Sequence, residues 1–317
     1  MNQYDVAVVG GGAAGLSAAL VLTRARRRVV VVDSGEPRNA PAAQLQGFLS
    51  RDGMSPADLL ARGREEVAGY GGHLVAGTVR AVRPGEGGFV VTLGDGSELT
   101  ARRLLVTTGL HDVLPDVPGV RERWGRDLLH CPYCHGYEVR DQQLGVLGGS
   151  ADAVQHALVI RQWADDVVFF SQGTVLSADE RERLVARAIG VVDEPVTRLV
   201  VEDDRLRGVE LANGRVVPRD AVFVRPDFVP HHDLLLDLGC ATHDNDWVVA
   251  DPTGRTTVAG VWVAGNAVNP RAQLITAAGE GSAAAIAINA DLVDEDVEQA
   301  VRDYRDQEPI RAPIAIR

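Results

Sequence analysis

Apolar residues near the start of the chain form two uninterrupted runs with a helical pattern between them. The first run, Tyr4–Val9, ends in a cluster of glycines, and apolar residues then recur at helical spacing from Leu16 to about Arg26. The second run is Val29–Val32. Short apolar runs bounded by turn residues are typical of strands buried on both faces, as in parallel sheets. The pattern therefore predicts a β-α-β unit over residues 4–33.

The same order of elements returns further along the chain. The pattern predicts a strand at Leu144–Leu147, a helix at Val154–Trp163 and another strand at Val167–Phe170. A third apolar strand, Gly260–Ala264, precedes a helix predicted at Ala277–Leu292. Strands that alternate with helices indicate parallel sheets. We therefore predict an α/β fold with two Rossmann-like dinucleotide-binding domains.

Two intervening stretches have the period of antiparallel strands, with turns rich in Gly, Pro, Asn and Asp between them. The strands predicted there are His73–Val82, Phe89–Leu93, Glu98–Leu104, Val196–Glu202 and Leu206–Ala212. A buried strand is also predicted at Leu104–Gly109, followed by a linker at Pro115, Pro118 and Gly119. The pattern of the last nine residues, Pro309–Arg317, predicts a tail, which could equally pack on a second copy of the chain.

Small residues recur along the helix predicted at Ala277–Leu292, at Ala278, Gly279, Gly281 and Ala284. Such residues permit the helix backbone to come close to a ligand or a sheet, and they equally permit tight packing against another helix. The pattern alone favours neither explanation.

A glycine-rich loop joins the first predicted strand to its helix. Gly10, Gly12 and Gly15 form a G-x-G-x-x-G motif, and an acidic residue, Asp33, ends the next strand. The first glycine permits a tight turn, the second lets a pyrophosphate approach the backbone, and the third lets helix and strand pack closely. Asp33 can accept hydrogen bonds from ribose hydroxyls. The predicted cofactor-binding residues of this region are Gly10, Gly12, Ala13, Ala14, Gly15 and Asp33.

Composition narrows the possible chemistry. The chain of 317 residues has a net charge of −12 and contains no lysine, so all 32 of its basic Lys/Arg side chains are arginine. Schiff-base enzymes need a lysine amine and Walker-type phosphate loops end in GK[ST], so both are excluded. The acidic balance, without a dense basic run, argues against nucleic-acid binding. GC-rich codon usage is a simple explanation for the missing lysine, since Ala, Gly, Val and Arg are abundant.

Three cysteines occur, at Cys131, Cys134 and Cys240. The first two form a CxxC motif, which is either redox-active or half of a zinc site. No second CxxC or HxxxH motif supplies the other zinc ligands, so we favour redox chemistry and expect no metal. Cys240 has no neighbouring cysteine and is expected to be a small buried hydrophobe. With no signal-peptide pattern and no apolar window of about 18 residues, we expect a cytoplasmic protein that does not enter a membrane.

A CxxC motif directly before the second β-α-β unit resembles the low-molecular-weight thioredoxin reductase family of flavoproteins, over nearly the whole chain. The segment Thr107–Gly109 resembles the family's second flavin signature, and Gly260–Asn266 with Gln273–Gly281 resembles its C-terminal FAD motif. The resemblance implies an FAD domain split into residues 1–115 and 247–317, a disulfide domain at 116–246 inserted in it, and a homodimer. It adds Gly109, Gly265, Asn266 and Gln273 to the cofactor-binding residues. Asn266 stands where the family usually has Asp, and it retains an acceptor oxygen.

The second glycine loop departs from the NADPH-using members of this family. Ser150 replaces the middle glycine, which places a side chain where a pyrophosphate would come closest to the backbone. The following strand ends in Ser171-Gln172-Gly173, without an acid for an NAD ribose or an arginine for an NADP phosphate. The first arginine beyond it is Arg181. We therefore do not expect NADPH to be a cofactor, although binding in another manner stays open.

His135 directly follows the CxxC motif, where thioredoxin reductases typically have Asp. The stretch Cys131–Glu138 resembles the flavin-dependent dithiol oxidases of the holomycin and gliotoxin type, which close disulfides in small dithiols and pass electrons through FAD to oxygen. The resemblance implies that Cys134 faces the flavin, that Cys131 exchanges with substrate and that His135 is the general acid or base. The alternative is that His135 has a structural role only. His130 could serve either purpose, and Glu138 either orients His135 or is solvated.

Three functions follow as hypotheses. The leading one is an FAD-dependent dithiol-disulfide oxidoreductase that oxidises a small-molecule dithiol with oxygen as acceptor. The second is a thioredoxin reductase-like enzyme that reduces the disulfide of a thioredoxin-like protein with NADPH or another donor. The third is a flavin-binding redox sensor without catalysis, which has no need for a CxxC-His sequence.

Overall fold

The computed structural model describes residues 3–306. These residues divide into two units. Unit 1 comprises residues 3–36, 60–109 and 230–306, and unit 2 comprises residues 37–59 and 110–229. The sequence-based boundaries at residues 115/116 and 246/247 stay a prediction, and the units differ from them most in residues 37–59. The predicted C-terminal tail, Pro309–Arg317, lies outside the described residues.

Strands and helices alternate along both units. The strands are β1 (Gln3–Val9), β2 (Val29–Asp33), β3 (His73–Ala76), β4 (Val79–Gly85), β5 (Gly88–Leu93), β6 (Glu98–Val106), β7 (Leu110–Val113), β8 (Leu128–Leu129), β9 (Leu144–Leu147), β10 (Val167–Phe170), β11 (Ile189–Val192), β12 (Val196–Glu202), β13 (Arg205–Leu211), β14 (Val216–Pro218), β15 (Ala221–Phe223), β16 (Asp227–Pro230) and β17 (Val261–Val263). The helices are α1 (Ala13–Arg24), α2 (Pro56–Gly69), α3 (Val120–Arg123), α4 (Pro132–His135), α5 (Ala153–Ile160), α6 (Ala178–Ala186), α7 (Asp233–Asp237) and α8 (Leu274–Asp306), with a 3₁₀ turn at Gly265–Ala267.

A seven-stranded sheet forms the centre of unit 1. Its order is β3-β2-β1-β6-β5-β4, and β17 also pairs with β6. Strands β3, β2, β1, β6 and β17 pair in parallel, whereas β4 and β5 are antiparallel. Residues Tyr4–Val9 of β1 are all buried, as expected for a strand covered on both faces. The predicted strand His73–Val82 is two strands instead, because Gly77 (φ 155°) breaks it between β3 and β4.

Helix α8 is longer than its apolar pattern predicts. The predicted helix ends at Leu292, whereas α8 continues to Asp306. In the added part, Glu295 and Asp296 pair with Arg102 and Arg103 of β6, with Arg103 2.5 Å from Glu295 and Arg102 2.6 Å from Asp296. These ion pairs stabilise a polar stretch of the helix. Because the stretch lacks an apolar period, the sequence pattern does not predict it as helix.

A five-stranded parallel sheet forms the centre of unit 2, in the order β11-β10-β9-β15-β8. Helix α5 packs on it through a core that includes Ala157 and Ile160 of the helix and Val146 and Phe169 of the sheet. Strands β12, β13 and β14 form a separate antiparallel sheet, as the second alternating stretch of sequence predicts. The prediction of an α/β fold with two Rossmann-like units, the second between segments of the first, is confirmed.

Among the described residues, none of the helices combines the length and the apolar character that a membrane crossing requires.

Substitution of Gly281 tests the packing of α8 against α1. A Cβ atom there would lie 2.0 Å from the backbone oxygen of Ala14, so the two backbones would have to move apart. We expect Gly281→Ala to lower the free energy of unfolding by about 1–3 kcal/mol, despite the better helix propensity of alanine.

Gly279→Ala in the same helix is the matched control. A Cβ atom at Gly279 would have no atom within 4 Å, so this change should leave stability unchanged or raise it by up to about 1 kcal/mol. Urea unfolding measures both variants. Equal stability of Gly281→Ala and the wild type would refute the close packing.

Candidate functional site

The first glycine loop has the backbone conformation that its sequence predicts. Gly10 has φ 104°, and a Cβ atom there would lie 2.5 Å from the backbone oxygen of Thr107. A Cβ atom at Gly15 would lie 1.9 Å from the backbone oxygen of Gly10. The Thr107 hydroxyl lies 3.0 Å and 2.8 Å from the carbonyl oxygens of Val9 and Gly10. Glycine is therefore required at both positions, and Thr107 fixes the end of β1.

The open side of this loop fits a dinucleotide. A Cβ atom at Gly12 would meet no atom within 4 Å, so the backbone can be approached there. Gly12 caps α1 and makes no side-chain hydrogen bond to the amides of the first turn, which begins at Ala13 and Ala14. Unpaired amides at a helix N-terminus bind phosphate oxygens. The Asp33 carboxylate accepts hydrogen bonds from the amides of Gly11 and Gly35, which holds it at the base of the loop.

The residues predicted on the C-terminal side lie in the same unit. Gly265 (φ 71°) opens the 3₁₀ turn, and a Cβ atom there would lie 3.1 Å from Cβ of Ala14. The side-chain amide of Asn266 donates to the carbonyl oxygens of Asn269 and Ala272, at 2.9 and 3.0 Å. Gln273 immediately precedes α8, and Gly109 (φ 73°) follows β6.

Glu280 of α8 was not identified from the sequence. Its carboxylate accepts from the Gly265 amide at 2.9 Å and from the side chain of Asn269 at 2.7 Å. Glu280 therefore fixes the 3₁₀ turn that carries the predicted cofactor residues. Its signal in the sequence is a single acid among small residues in Ala277–Ala285.

The CxxC motif lies in unit 2, on the segment that follows strand β8. Cys131 and Cys134 form a disulfide with a Cα–Cα distance of 5.2 Å. Cys131 caps the short helix α4, and its carbonyl oxygen accepts from the amides of Cys134 and His135, each at 3.1 Å. Gly136 ends the turn, where a Cβ atom would lie 2.5 Å from the backbone oxygen of Pro132. The short helix thus sets the spacing of the two cysteines.

His135 directly follows the disulfide in the sequence and its side chain is half-buried. Its Nδ1 atom has no hydrogen-bond partner among the described residues. Burial lowers the pKa of His135, against the opposing effects of Glu138 and the Cys131 backbone. The imidazole is therefore neutral near pH 7 and can accept a proton.

Two further histidines lie together, one of them adjacent to Cys131 in the sequence. The His130 and His156 rings are 5.8 Å apart; His156 is buried and His130 is half-buried. Burial lowers the pKa of each to about 4, and the charges of Arg38 and Arg225 act in the same direction on His130. The role of His130 is left open by the sequence pattern, and no pattern marks His156.

The second glycine loop differs from the first in the hydrogen bonds of its backbone amides. The Gly149 amide donates to the Thr174 hydroxyl at 2.9 Å, and the buried Ser150 hydroxyl has no partner among the described residues. Arg181, the first arginine after β10, pairs with both carboxylate oxygens of Asp193 at 2.9 and 3.0 Å. The Gly149 amide and the Arg181 side chain are thus each engaged within the chain.

The remaining candidate residues contribute no further site. Cys240 is buried in unit 1, where burial raises the pKa of its thiol and its sulfur lies 3.5 Å from the Thr256 hydroxyl. Over residues 3–306, no group of three or more His, Cys, Asp or Glu side chains is placed to hold a metal ion. The predicted cofactor residues lie together in unit 1, and the predicted catalytic residues lie together in unit 2.

The two buried histidines are expected to lower stability in acid. Their pKa is about 4 in the folded chain against an ordinary 6.5, so between these values the unfolded chain binds more protons. The free energy of unfolding should be level with respect to these groups above pH 6.5. It should fall between pH 6.5 and 4, by roughly 2 kcal/mol per histidine at pH 4.5.

Urea unfolding of the wild type and of His156→Gln at pH 7.5 and 4.5 measures this effect. Carboxylates titrate alike in both proteins, so the wild type should lose more stability in acid than the variant. Equal losses would show that His156 titrates normally.

Comparison with known proteins gives a consistent result. Residues 4–282 match the family model described as pyridine nucleotide-disulphide oxidoreductase. The thioredoxin reductase sirT of Leptosphaeria maculans is 30% identical over 305 residues, covering 90% of this chain and 93% of that protein. A probable thioredoxin reductase of Arthroderma benhamiae is 29% identical, covering 95% of this chain and 83% of that protein.

Solved structures agree with the sequence comparisons. The crystal structure of HlmI is 58% identical with a TM-score of 0.94, covering 96% of this chain and 97% of that one. A putative thioredoxin reductase TrxB from Bacillus anthracis is 34% identical with a TM-score of 0.88, covering 92% and 99%. The resemblance inferred from the motifs is confirmed. The chain belongs to the pyridine nucleotide-disulphide oxidoreductase family and is a flavoprotein enzyme of the thioredoxin reductase-like group.

Proposed function

We propose that this enzyme oxidises a small-molecule dithiol to a disulfide, using the Cys131–Cys134 pair, FAD and oxygen. The observation that carries the proposal is the CxxC disulfide followed directly by a half-buried histidine whose pKa is lowered by burial. Similarity to HlmI at 58% identity supports an activity shared with that protein.

The disulfide accepts electrons from the substrate by thiol exchange. A substrate thiolate attacks the Cys131 sulfur, the Cys131–Cys134 bond breaks, and Cys134 leaves as a thiolate. The second substrate thiolate then attacks the substrate sulfur of this mixed disulfide, the bond to Cys131 breaks, and Cys131 leaves as a thiolate. This step releases the oxidised substrate and leaves both cysteines reduced, with two electrons transferred to the enzyme.

His135 accepts and returns the protons of the thiols in this exchange. A thiol must lose its proton before it attacks, and a neutral imidazole next to the disulfide can accept that proton. Because burial lowers the pKa of His135, the imidazole is available as a base at neutral pH. Glu138, whose charge opposes that shift, stabilises the imidazolium once the proton has been transferred.

The first glycine loop fits FAD. The exposed edge at Gly12 and the amides at Ala13 and Ala14 would hold the pyrophosphate, with Asp33 at the ribose. We place Gly109, Gly265, Asn266 and Gln273 at the rest of the cofactor. Held by these residues, FAD would supply the two-electron acceptor for the reduced cysteine pair, with oxygen as the final acceptor and hydrogen peroxide as its product.

We further propose that NADPH is not the electron donor. Ser150 and the Gly149–Thr174 hydrogen bond occupy the second loop, and Arg181 is paired with Asp193. The family description names pyridine nucleotides, and the sirT relative is called a thioredoxin reductase. Reduction of a thioredoxin-like protein with NADPH is therefore the second candidate function. The homodimer and the cytoplasmic location stay predictions.

Electron flow separates the two functions. With the purified flavoprotein, a dithiol such as dithiothreitol in air should cause oxygen uptake and stoichiometric hydrogen peroxide. NADPH under anaerobic conditions should leave the flavin oxidised. Rapid bleaching of the flavin by NADPH would overturn the oxidase proposal in favour of the reductase.

Cysteine variants locate the activity within the chain. Cys131→Ser and Cys134→Ser should each abolish dithiol-dependent oxygen uptake, because each removes one sulfur of the disulfide. Cys240→Ala is the matched control and should retain it, since Cys240 is buried in unit 1 without a cysteine partner. Activity that persists in Cys131→Ser would contradict the exchange mechanism.

The role of His135 predicts a change in pH dependence. His135→Phe should slow flavin reduction by dithiol about 10²- to 10⁴-fold at pH 7, which is the range for loss of a general base. The rate in the wild type should be independent of pH above the lowered pKa of His135. In the variant it should rise toward the thiol pKa, near 8.5.

Anaerobic stopped-flow measurements of flavin reduction from pH 6 to 9 test this. His243→Phe, an exposed histidine on a loop of unit 1, is the control and should follow the wild type. A His135→Phe profile that parallels the wild type would assign His135 a structural role.

A further inference from the structure

His156 lies on helix α5, outside every predicted site. The side chain is 6% exposed, and its ring packs against the rings of His130 and Phe223. Counted from the first glycine of each loop, Gly10 and Gly148, the corresponding residue of unit 1 is Ala18, which is fully buried. Burying an imidazole instead of an apolar side chain costs free energy unless a hydrogen bond compensates.

A hydrogen bond to the backbone supplies that compensation. The Nε2 atom of His156 lies 2.9 Å from the carbonyl oxygen of His130. A carbonyl oxygen can only accept, so Nε2 carries the hydrogen. The Nδ1 atom is buried without a partner among the described residues, which is compatible with a neutral ring that bears no hydrogen there.

The carbonyl that His156 holds belongs to the peptide group joining His130 to Cys131. On the other side of Cys131, its own carbonyl oxygen accepts from the amides of Cys134 and His135. Both peptide groups that flank Cys131 are therefore fixed by hydrogen bonds. The one on the N-terminal side depends on a single side chain, His156.

We propose that His156 is a positioning residue for the redox disulfide. By holding the His130 carbonyl, it fixes the backbone of Cys131, so that the Cys131 sulfur stays close to that of Cys134 when the disulfide opens. This favours closure of the disulfide over the open dithiol. The proposal rests on the thiol exchange in the proposed function, but it concerns the cysteine pair alone.

Three variants of the full-length protein test the proposal. His156→Leu removes the donor and keeps an apolar side chain. His156→Gln retains an N–H group at a similar reach. Ile160→Val is the matched control, since it removes one buried methyl group from the same helix without touching the His130 carbonyl.

The measurement is the equilibrium between the closed disulfide and the open dithiol in buffers of reduced and oxidised dithiothreitol at pH 7, determined by alkylation and mass spectrometry. His156→Leu should lower the equilibrium constant for closure about 3- to 10-fold, the range that corresponds to one hydrogen bond. His156→Gln should restore most of it. Ile160→Val should lower the melting temperature and leave the constant unchanged.

An unchanged constant in His156→Leu, or an equal change in Ile160→Val, would overturn the proposal. If His156→Leu does not fold, His156→Ala, with the side chain found at Ala18, replaces it under the same criteria. The measurement requires neither oxygen nor the natural substrate. Failure of the oxidase proposal and failure of this one are therefore distinguishable.

Discussion

Unit 1 depends on two contacts in which backbone segments lie too close together for a Cβ atom to fit between them. A Cβ atom at Gly15 would lie 1.9 Å from the Gly10 oxygen, and one at Gly281 would lie 2.0 Å from the Ala14 oxygen. The first turn of α1 is thus held against the end of β1 on one side and against α8 on the other. What stays open is the edge at Gly12, with the amides of the helix N-terminus behind it. The same close backbone contacts therefore pack the core and leave the helix N-terminus in a geometry that suits a phosphate group.

Unit 2 has the same order of elements and uses them differently. In its glycine loop, the Gly149 amide donates a hydrogen bond to the Thr174 hydroxyl. From the helix that follows, the His156 side chain donates to the carbonyl oxygen of His130, in the segment that carries the disulfide. In unit 1 the corresponding helix position is Ala18, which only fills the core. Two units of one architecture therefore place different groups at corresponding positions, and the difference depends on a few side chains. This is why fold alone does not give function, and why the second loop cannot be interpreted from its glycines.

The sequence predicts best what local burial determines. The strands predicted at Leu144–Leu147 and Val167–Phe170 are found with those bounds, because strands buried on both faces leave an uninterrupted apolar run. The glycine loop is equally clear, since its backbone requires glycine. The two cysteines form a disulfide because CxxC spacing suits one short turn, while their catalytic role stays a prediction.

Contacts between distant parts of the sequence explain what the prediction misses. The end of α8 is held by Arg102 and Arg103, nearly two hundred residues away, so no local pattern marks it. Glu280 and His156 form hydrogen bonds with backbone groups. Because every residue has these backbone groups, the pattern of side chains does not predict such bonds. The only signal for either is a polar residue at a position where its neighbours are small or apolar.

If NADPH is not the donor, as we propose, the magnitudes of two interactions indicate which end of a nicotinamide cofactor would meet the obstacle. Arg181 and Asp193 are both about half exposed, and an exposed ion pair contributes roughly 0–1 kcal/mol, so a doubly charged phosphate could compete for Arg181 at little cost. At the loop, by contrast, a phosphate must displace the Gly149–Thr174 hydrogen bond and pass the side chain of Ser150. The obstacle therefore lies at the pyrophosphate, in the backbone of the loop. The absence of an arginine at the end of β10 costs such a cofactor less than the loop does, although it is the more visible feature in a chain whose basic Lys/Arg residues are all arginine.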